Sequence, residues 1–288
     1  MESDQSLKVP GLGARRGNEW PAWAGPLALV SGFVLASFGA LLIDIPAVIF
    51  GVNVSSSHLP GGLEILDTVV QDAVFVFVAV RCARLGGRAA RAWQFGLRPT
   101  KLWPAALLVV LTLLAFLIFS LLWAAALDVS TKEKVLEQLG ANESPVLLVL
   151  SATLTCVIAP ICEEFLFRGF VFQALRNWRG PWLAALITGL LFGAFHLGSA
   201  PAVDLVPLAM LGFALCLLFW RTKSLYPCIA AHALNNSIAY GDLESWRWWQ
   251  VIVLASLALG LIWLLAQLLK RLRVITPAPP GPSIQPGT

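Results

Sequence analysis

Charge is what this chain has least of. Lys, Arg, Asp and Glu make up 12% of its 288 residues, against 58% hydrophobic residues. A soluble domain carries about 25% charged residues, so the composition excludes an ordinary water-soluble fold and points to a membrane protein. Histidine is scarcer still, with three in all, and His58 is the one expected in a loop. The five cysteines (Cys82, Cys156, Cys162, Cys216 and Cys228) lie in or beside apolar segments without zinc-site spacing. They read as buried free thiols, not as a disulfide framework. There is no internal repeat, no Gly-rich phosphate loop and no nucleic-acid motif, so nucleic acid is not an expected partner. A cleavable leader pattern is also missing. Residues 1–25 are polar, with Lys8, Arg15 and Arg16, and a long apolar run follows, so the first span should remain as an anchor.

Long apolar stretches dominate the rest. A helix needs about 20 mostly apolar residues to cross the bilayer. Such stretches run at about 26–50, 65–82, 103–127, 145–162, 182–198, 203–220, 225–240 and 248–269. The reading is an all-α polytopic membrane protein of about eight transmembrane helices, because lipid tolerates no open sheet edge. Five parts follow: a cytoplasmic segment 1–25, N-terminal helices 26–140, a core 141–245, a last helix 246–273 and a disordered Pro/Gly-rich tail 274–288.

The cations fall mostly on one side. With the N-terminus inside, seventeen Lys and Arg occupy inner segments, while Lys132, Lys134 and Arg247 are outside. That bias implies a multi-pass cell-membrane protein with both termini cytoplasmic. Trp20, Trp23, Trp93, Trp103, Trp178 and Trp182 are expected in an inner interfacial belt. The basic stretch 81–101 suits the inner leaflet better than nucleic acid.

A few ionisable groups interrupt the apolar helices, and such groups usually mark function. Glu164 and Arg168 are four apart, share a helix face and can pair. Glu163 points about 100° away and has no cation four residues on. Glu164 is therefore expected to support the site and Glu163 to react as a general base. A turn at Asn177–Pro181 lies midway between Glu163 and His196. In a helical hairpin that spacing sets the two at one depth, provided the fourth helix runs on to about residue 177, bent near Pro160. His232 and Asn236, again four apart, offer N–H donors for an oxyanion. The three groups are expected to line one cavity, with Asn236 on its wall, in the cytoplasmic half of the membrane. Phe192 reads as packing. Asp67, Gln71 and Asp72, like Asp44, read as interfacial groups near outer helix ends.

At E-E-F-L-F-R (163–168), F-G-A-F-H (192–196) and H-A-L-N-N (232–236), the chain resembles the CPBP intramembrane proteases, the CAAX prenyl endopeptidase-like and bacteriocin-processing (Abi-type) family. That family's pattern is E-E-x-x-x-R, F-x-x-x-H and H-x-x-x-N, and the resemblance covers about 145–240. It implies an intramembrane endopeptidase acting on a membrane-associated or lipidated peptide or protein. Glu163 and His196 would activate water, His232 and Asn236 would hold the oxyanion, and Glu164 and Arg168 would support the helix. The resemblance leaves a cofactor open. No metal is firmly implied, and a divalent ion such as zinc on Glu163, His196 and His232 is the alternative. A non-catalytic immunity or scaffold protein of the same fold is the second reading. A secondary transporter is the third, and the missing repeat speaks against it.

Overall fold

The computed structural model describes residues 20–52, 61–85, 90–127, 144–272 and 274–275. His58, Lys132, Lys134 and the tail beyond residue 275 lie outside them. Among the described residues no β-strand forms, and a lone bridge pairs Leu197 with Ala200. The helices are α1 (Ala24–Ile49), α2 (Gly61–Ala83), α3 (Leu102–Leu127), α4 (Pro145–Thr153), α5 (Ala159–Leu166), α6 (Phe172–Phe195), α7 (Leu205–Thr222), α8 (Leu225–Leu243) and α9 (Trp248–Arg271).

These make eight rods among the described residues. Wide π turns at Leu154–Ile158 and Phe167–Val171 join α4, α5 and the start of α6 into one rod. That rod ends at Gly180 (φ 77°), where the chain reverses and Pro181 opens the second arm of α6. Glycine meets the positive φ at no steric cost, and proline suits a first helical turn. The start of α4 is equally local: Ser144 Oγ accepts from Leu147 N–H at 3.2 Å, with Pro145 next. Among the described residues five stretches are long and apolar enough to cross a membrane, and the one spanning Pro145–Phe195 contains both rods of the hairpin.

Burial separates an inner set of helices from an outer one. Among large side chains the core draws on Leu166, Phe167, Phe170, Phe172, Phe192, Leu211, Leu215 and Phe219. α3 buries Ala105, Val109, Leu113 and Phe116, a single stripe, and α9 buries Ala258. Their other faces present Leu, Ile, Val and Trp outward, as lipid-facing helices do. The second arm of α6 meets α7 closely. A Cβ on Gly189 would stand 2.7 Å from the Ala209 carbonyl, and one on Gly193 2.6 Å from that of Leu205. These glycines let two backbones touch where side chains would hold them apart.

One end of the bundle is tied together by polar links. Arg98 Nε donates to the Lys223 carbonyl at 2.5 Å, Ser224 Oγ donates to the Arg98 carbonyl at 2.6 Å, and Gln173 Nε2 donates to the Gln94 carbonyl at 2.9 Å. Arg98, Arg176 and Lys223 stand close enough to interact at this basic end. At the other end Trp123 Nε1 donates to the Val203 carbonyl at 2.9 Å.

Three expectations change. Trp20 is not an interfacial residue: it is buried against Phe95 and Phe170, with ring centroids 5.0 and 4.9 Å away. Asp72 does not face water but is 3% exposed. α6 stops at Phe195, so His196 caps the helix instead of lying inside it. Cys82, Cys156, Cys216 and Cys228 are buried free thiols, and Cys162 is partly buried.

Candidate active site

The site grows from the rod that carries both carboxylates. Glu163 and Glu164 sit in α5 between the two π turns. Single π turns inside α-helices often accompany functional sites, because the extra residue frees backbone groups and re-aims side chains. Here Ala159 N–H reaches back five residues to the Leu154 carbonyl. The next donor in that pattern would be residue 160, but Pro160 has no N–H. The Thr155 carbonyl is thereby left for another partner, and Asn236 Nδ2 donates to it at 2.9 Å.

Glu164 and Arg168 form the pair read from their spacing. Arg168 Nη1 donates to Glu164 Oε1 at 2.7 Å, and both side chains are wholly buried. Arg168 Nη2 also donates to the Gly212 carbonyl at 3.0 Å, and the guanidinium carbon lies 4.5 Å from the Phe192 ring centroid. Salt bridge, carbonyl and aromatic face together offset the desolvation that burial of a guanidinium costs.

Glu164 does more than support its helix. His232 Nδ1 lies 2.9 Å from the same Glu164 oxygen. With Arg168 on that oxygen the carboxylate is the acceptor, so Nδ1 carries the proton and Nε2 holds the lone pair. His232 Nε2 faces Glu163 Oε2 at 3.9 Å. Arg168, Glu164, His232 and Glu163 thus form one chain across α5, α8 and the second π turn. Glu164 thus supports the site through His232 as well as through Arg168, and the Nδ1–H of His232 is spent on Glu164. Fixing an imidazole tautomer by a carboxylate on its far nitrogen is a general way to orient a reactive ring.

His196 is oriented in a similar way from another quarter. Its Nδ1 donates to the Phe192 carbonyl at 2.8 Å, which leaves Nε2 as an acceptor. Phe192 and Phe195 flank the ring, with centroids 4.9 and 5.6 Å away. Phe192 therefore holds His196 by its carbonyl and Arg168 by its ring, a role beyond the packing expected of it.

Glu163, His196, His232 and Asn236 line one cavity of about 340 Å³. Ser199, Ala200 and Leu243 form its far part, and Glu64, Thr68 and Gln71 its α2 wall. His232 lies seven residues beyond Leu225, so it is nearer the basic end of α8, while the cavity extends toward the opposite end. Gln71 was read from sequence as interfacial, and Glu64 and Thr68 drew no notice, because no hydropathy signal distinguishes a cavity wall from an interface. Asn236 has one amide N–H committed to Thr155, and its Oδ1 accepts from Asn235 Nδ2 at 3.3 Å. It holds the π turn in place as well as bordering the cavity. Glu163 Oε2 is buried without a hydrogen-bond partner. Among the described residues no three His, Cys, Asp or Glu side chains converge as ligands of one ion.

This polar constellation, buried within an all-α bundle of apolar helices, is a candidate reaction or binding centre. Residues 145–238 match the Rce1-like family, described as Type II CAAX prenyl endopeptidase Rce1-like. The segment is 31% identical over 93 residues to a protein of Bacillus subtilis (strain 168) named "Putative membrane peptidase YdiL", covering 32% of this chain and 35% of that protein. It is 32% identical over 93 residues to an uncharacterized protein of Mycoplasma capricolum, covering 32% and 27% of the two chains. The chain thus aligns with about a third of the length of these curated relatives. No solved structure matches the chain. The segment carrying α4 to α8 is similar to the Rce1-like family and to a protein named as a putative membrane peptidase.

Proposed function

We propose that the protein is an intramembrane endopeptidase in which Glu163 is the general base, acting on a membrane-associated or lipidated peptide or protein. The observation that carries this reading is the Glu163 carboxylate, 3.9 Å from His232 Nε2, with His232 itself anchored on the Glu164–Arg168 pair in the wall of a shared cavity.

Water held between Glu163 and the Nε2 lone pair of His196 attacks the carbonyl carbon of the scissile amide. Glu163 takes one proton from the water as the new C–O bond forms. The carbonyl oxygen becomes an oxyanion, and donors that strengthen toward developing charge act there. The second amide N–H of Asn236 is one such donor, and His232 supplies Nε2–H once it is protonated. When the C–N bond breaks, Glu163 returns its proton to the leaving nitrogen. The products are a carboxylic acid and an amine, and Glu163 is again a carboxylate. Arg168 and Glu164 position His232 and touch no reacting atom. Access from within the bilayer is supported by the cavity wall, which takes Phe33 from α1 and Leu208 from α7.

The test is cleavage of a panel of membrane-associated and lipidated peptides by the detergent-purified protein, alongside Glu163→Gln and metal analysis of the same samples. Cleavage that Glu163→Gln abolishes is the expected result. A folded Glu163→Gln protein with normal turnover would overturn the assignment. Activity that tracks a bound ion and is lost with a chelator would replace general-base water activation by a metal-centred one.

A further inference from the structure

The wall of the cavity contributed by α2 has no part in the chemistry above. Glu64, Thr68 and Gln71 are spaced i, i+4 and i+7, which puts them on one helical face, and all three line the cavity. Thr68 donates its hydroxyl proton to the Glu64 backbone carbonyl at 2.8 Å, so the oxygen's lone pairs remain. Among the described residues the charged or titratable groups lining the cavity are Glu64, Glu163, His196, His232 and Tyr240, with no Lys or Arg. Asp44 and Asp67 stand close enough to Glu64 to add to its field. The three carboxylates are not arranged to share one metal ion. A cavity-lining carboxylate with hydroxyl and amide neighbours suits a cation on a flexible stem better than a compact ion.

The depth of this wall can be measured along α2. Glu64 and Gln71 both line the cavity, seven residues apart along α2. At 1.5 Å per residue that is ~10 Å. An extended peptide rises about 3.3 Å per residue, so the wall runs beside just over three residues of substrate. We propose that Glu64, with Thr68 and Gln71, forms a subsite for a cationic side chain, Lys or Arg, three or four residues from the scissile bond. This inference deepens the peptidase reading and rests on it for the position of that bond. A carboxylate in the first turn also favours the helix N-terminus. That role would alter stability without altering any preference among peptides.

The experiment uses the full chain in detergent and fluorescent peptides in which Lys, Ala or Glu is scanned through five positions on either side of the cleaved bond. Cleavage is followed on the wild type. Binding is followed by anisotropy on Glu163→Gln, with and without Glu64→Gln. Lys at one position three or four residues from the bond should lower KM about tenfold relative to Ala, with kcat unchanged. Glu there should raise KM. Glu64→Gln should erase the preference and Glu64→Lys should invert it. Gln71→Lys, which leaves Glu64 in place, should weaken Lys peptides as an independent check should Glu64 variants fold poorly. Cleavage with the same Lys, Ala and Glu ratios in every variant would overturn the subsite and leave the peptidase standing. Binding that discriminates through Glu64 without any cleavage would overturn the peptidase and leave a cationic-peptide site. Neither cleavage nor discrimination would overturn both.

Discussion

Arg168→Ala removes the most heavily invested side chain in the molecule. The guanidinium is fully buried, bonded to Glu164 at 2.7 Å and to the Gly212 carbonyl at 3.0 Å, and set 4.5 Å from the Phe192 ring centroid. Counting two charge-assisted hydrogen bonds at about 1.5–3 kcal/mol each and a cation–π contact of up to about 2 kcal/mol gives an upper figure, because it omits the cost of desolvating the charge. Arg168 Nε is buried without a partner, which adds to that cost. Removing one member of a buried ion pair costs about 3–5 kcal/mol, since the remaining charge is stranded. Glu164 keeps His232 as a partner, so the lower end applies, about 3 kcal/mol. That is more than a hundredfold in the folding equilibrium. The assay is thermal and denaturant unfolding of the detergent-purified variant, with Glu164→Gln and the double variant completing a cycle. The double variant should lose less than the sum of the singles, because neither charge is then left alone. An Arg168→Ala protein as stable as the wild type but inactive would refute this reasoning and move Arg168 into the chemistry.

Further outcomes follow from the same geometry. Glu163→Gln should lower the cleavage rate by about 10²–10⁴ while leaving helicity and unfolding temperature near the wild type, measured by circular dichroism. Asn236→Ala strands the Thr155 carbonyl and should cost about 1–3 kcal/mol of stability, whereas an unchanged unfolding curve would show that the π turn does not need this bond. Gly193→Val meets the Leu205 backbone, where a Cβ would stand 2.6 Å away, so the variant should lose about 1–3 kcal/mol and Gly62→Val, with open space at its Cβ, should serve as the tolerant control. Lys223, outside the spans, is pushed from 10.5 to about 8 by burial and by the neighbouring Arg176 and Arg98. A folded-state value below the unfolded one means that the unfolded chain holds the extra proton between them. This group's contribution is therefore flat below about 8 and makes stability rise from about 8 to about 10.5. Lys223→Met should remove that rise from the pH dependence of Tm, and a curve identical to the wild type would refute it.

Much of this protein is legible along the chain because bilayer thickness, hydrogen bonding and helix geometry act locally. Hydropathy marks eight stretches, the seventh short and polar, since lipid admits a spanning backbone as helix and each span needs a set length. The reversal at Gly180 and Pro181 and the start at Ser144 and Pro145 are decided by residues a few positions away. So is the Glu164–Arg168 pair, whose partners are one helical turn apart. Equal spacing from the hairpin turn anticipates that Glu163 and His196 border one cavity. Depth along an axis follows from counting residues, but rotation about the axis does not. Each residue turns the helix by about 100°, and which azimuth faces the neighbour is settled by packing, as where Gly189, Gly193 and Gly212 bring α6 and α7 into backbone contact. Hence only the tertiary structure decided that His232 bonds Glu164 across 68 residues, that Asn236 takes the carbonyl freed by Pro160, that Asp72 and Trp20 are buried, and that α2 turns Glu64, Thr68 and Gln71 toward the cavity.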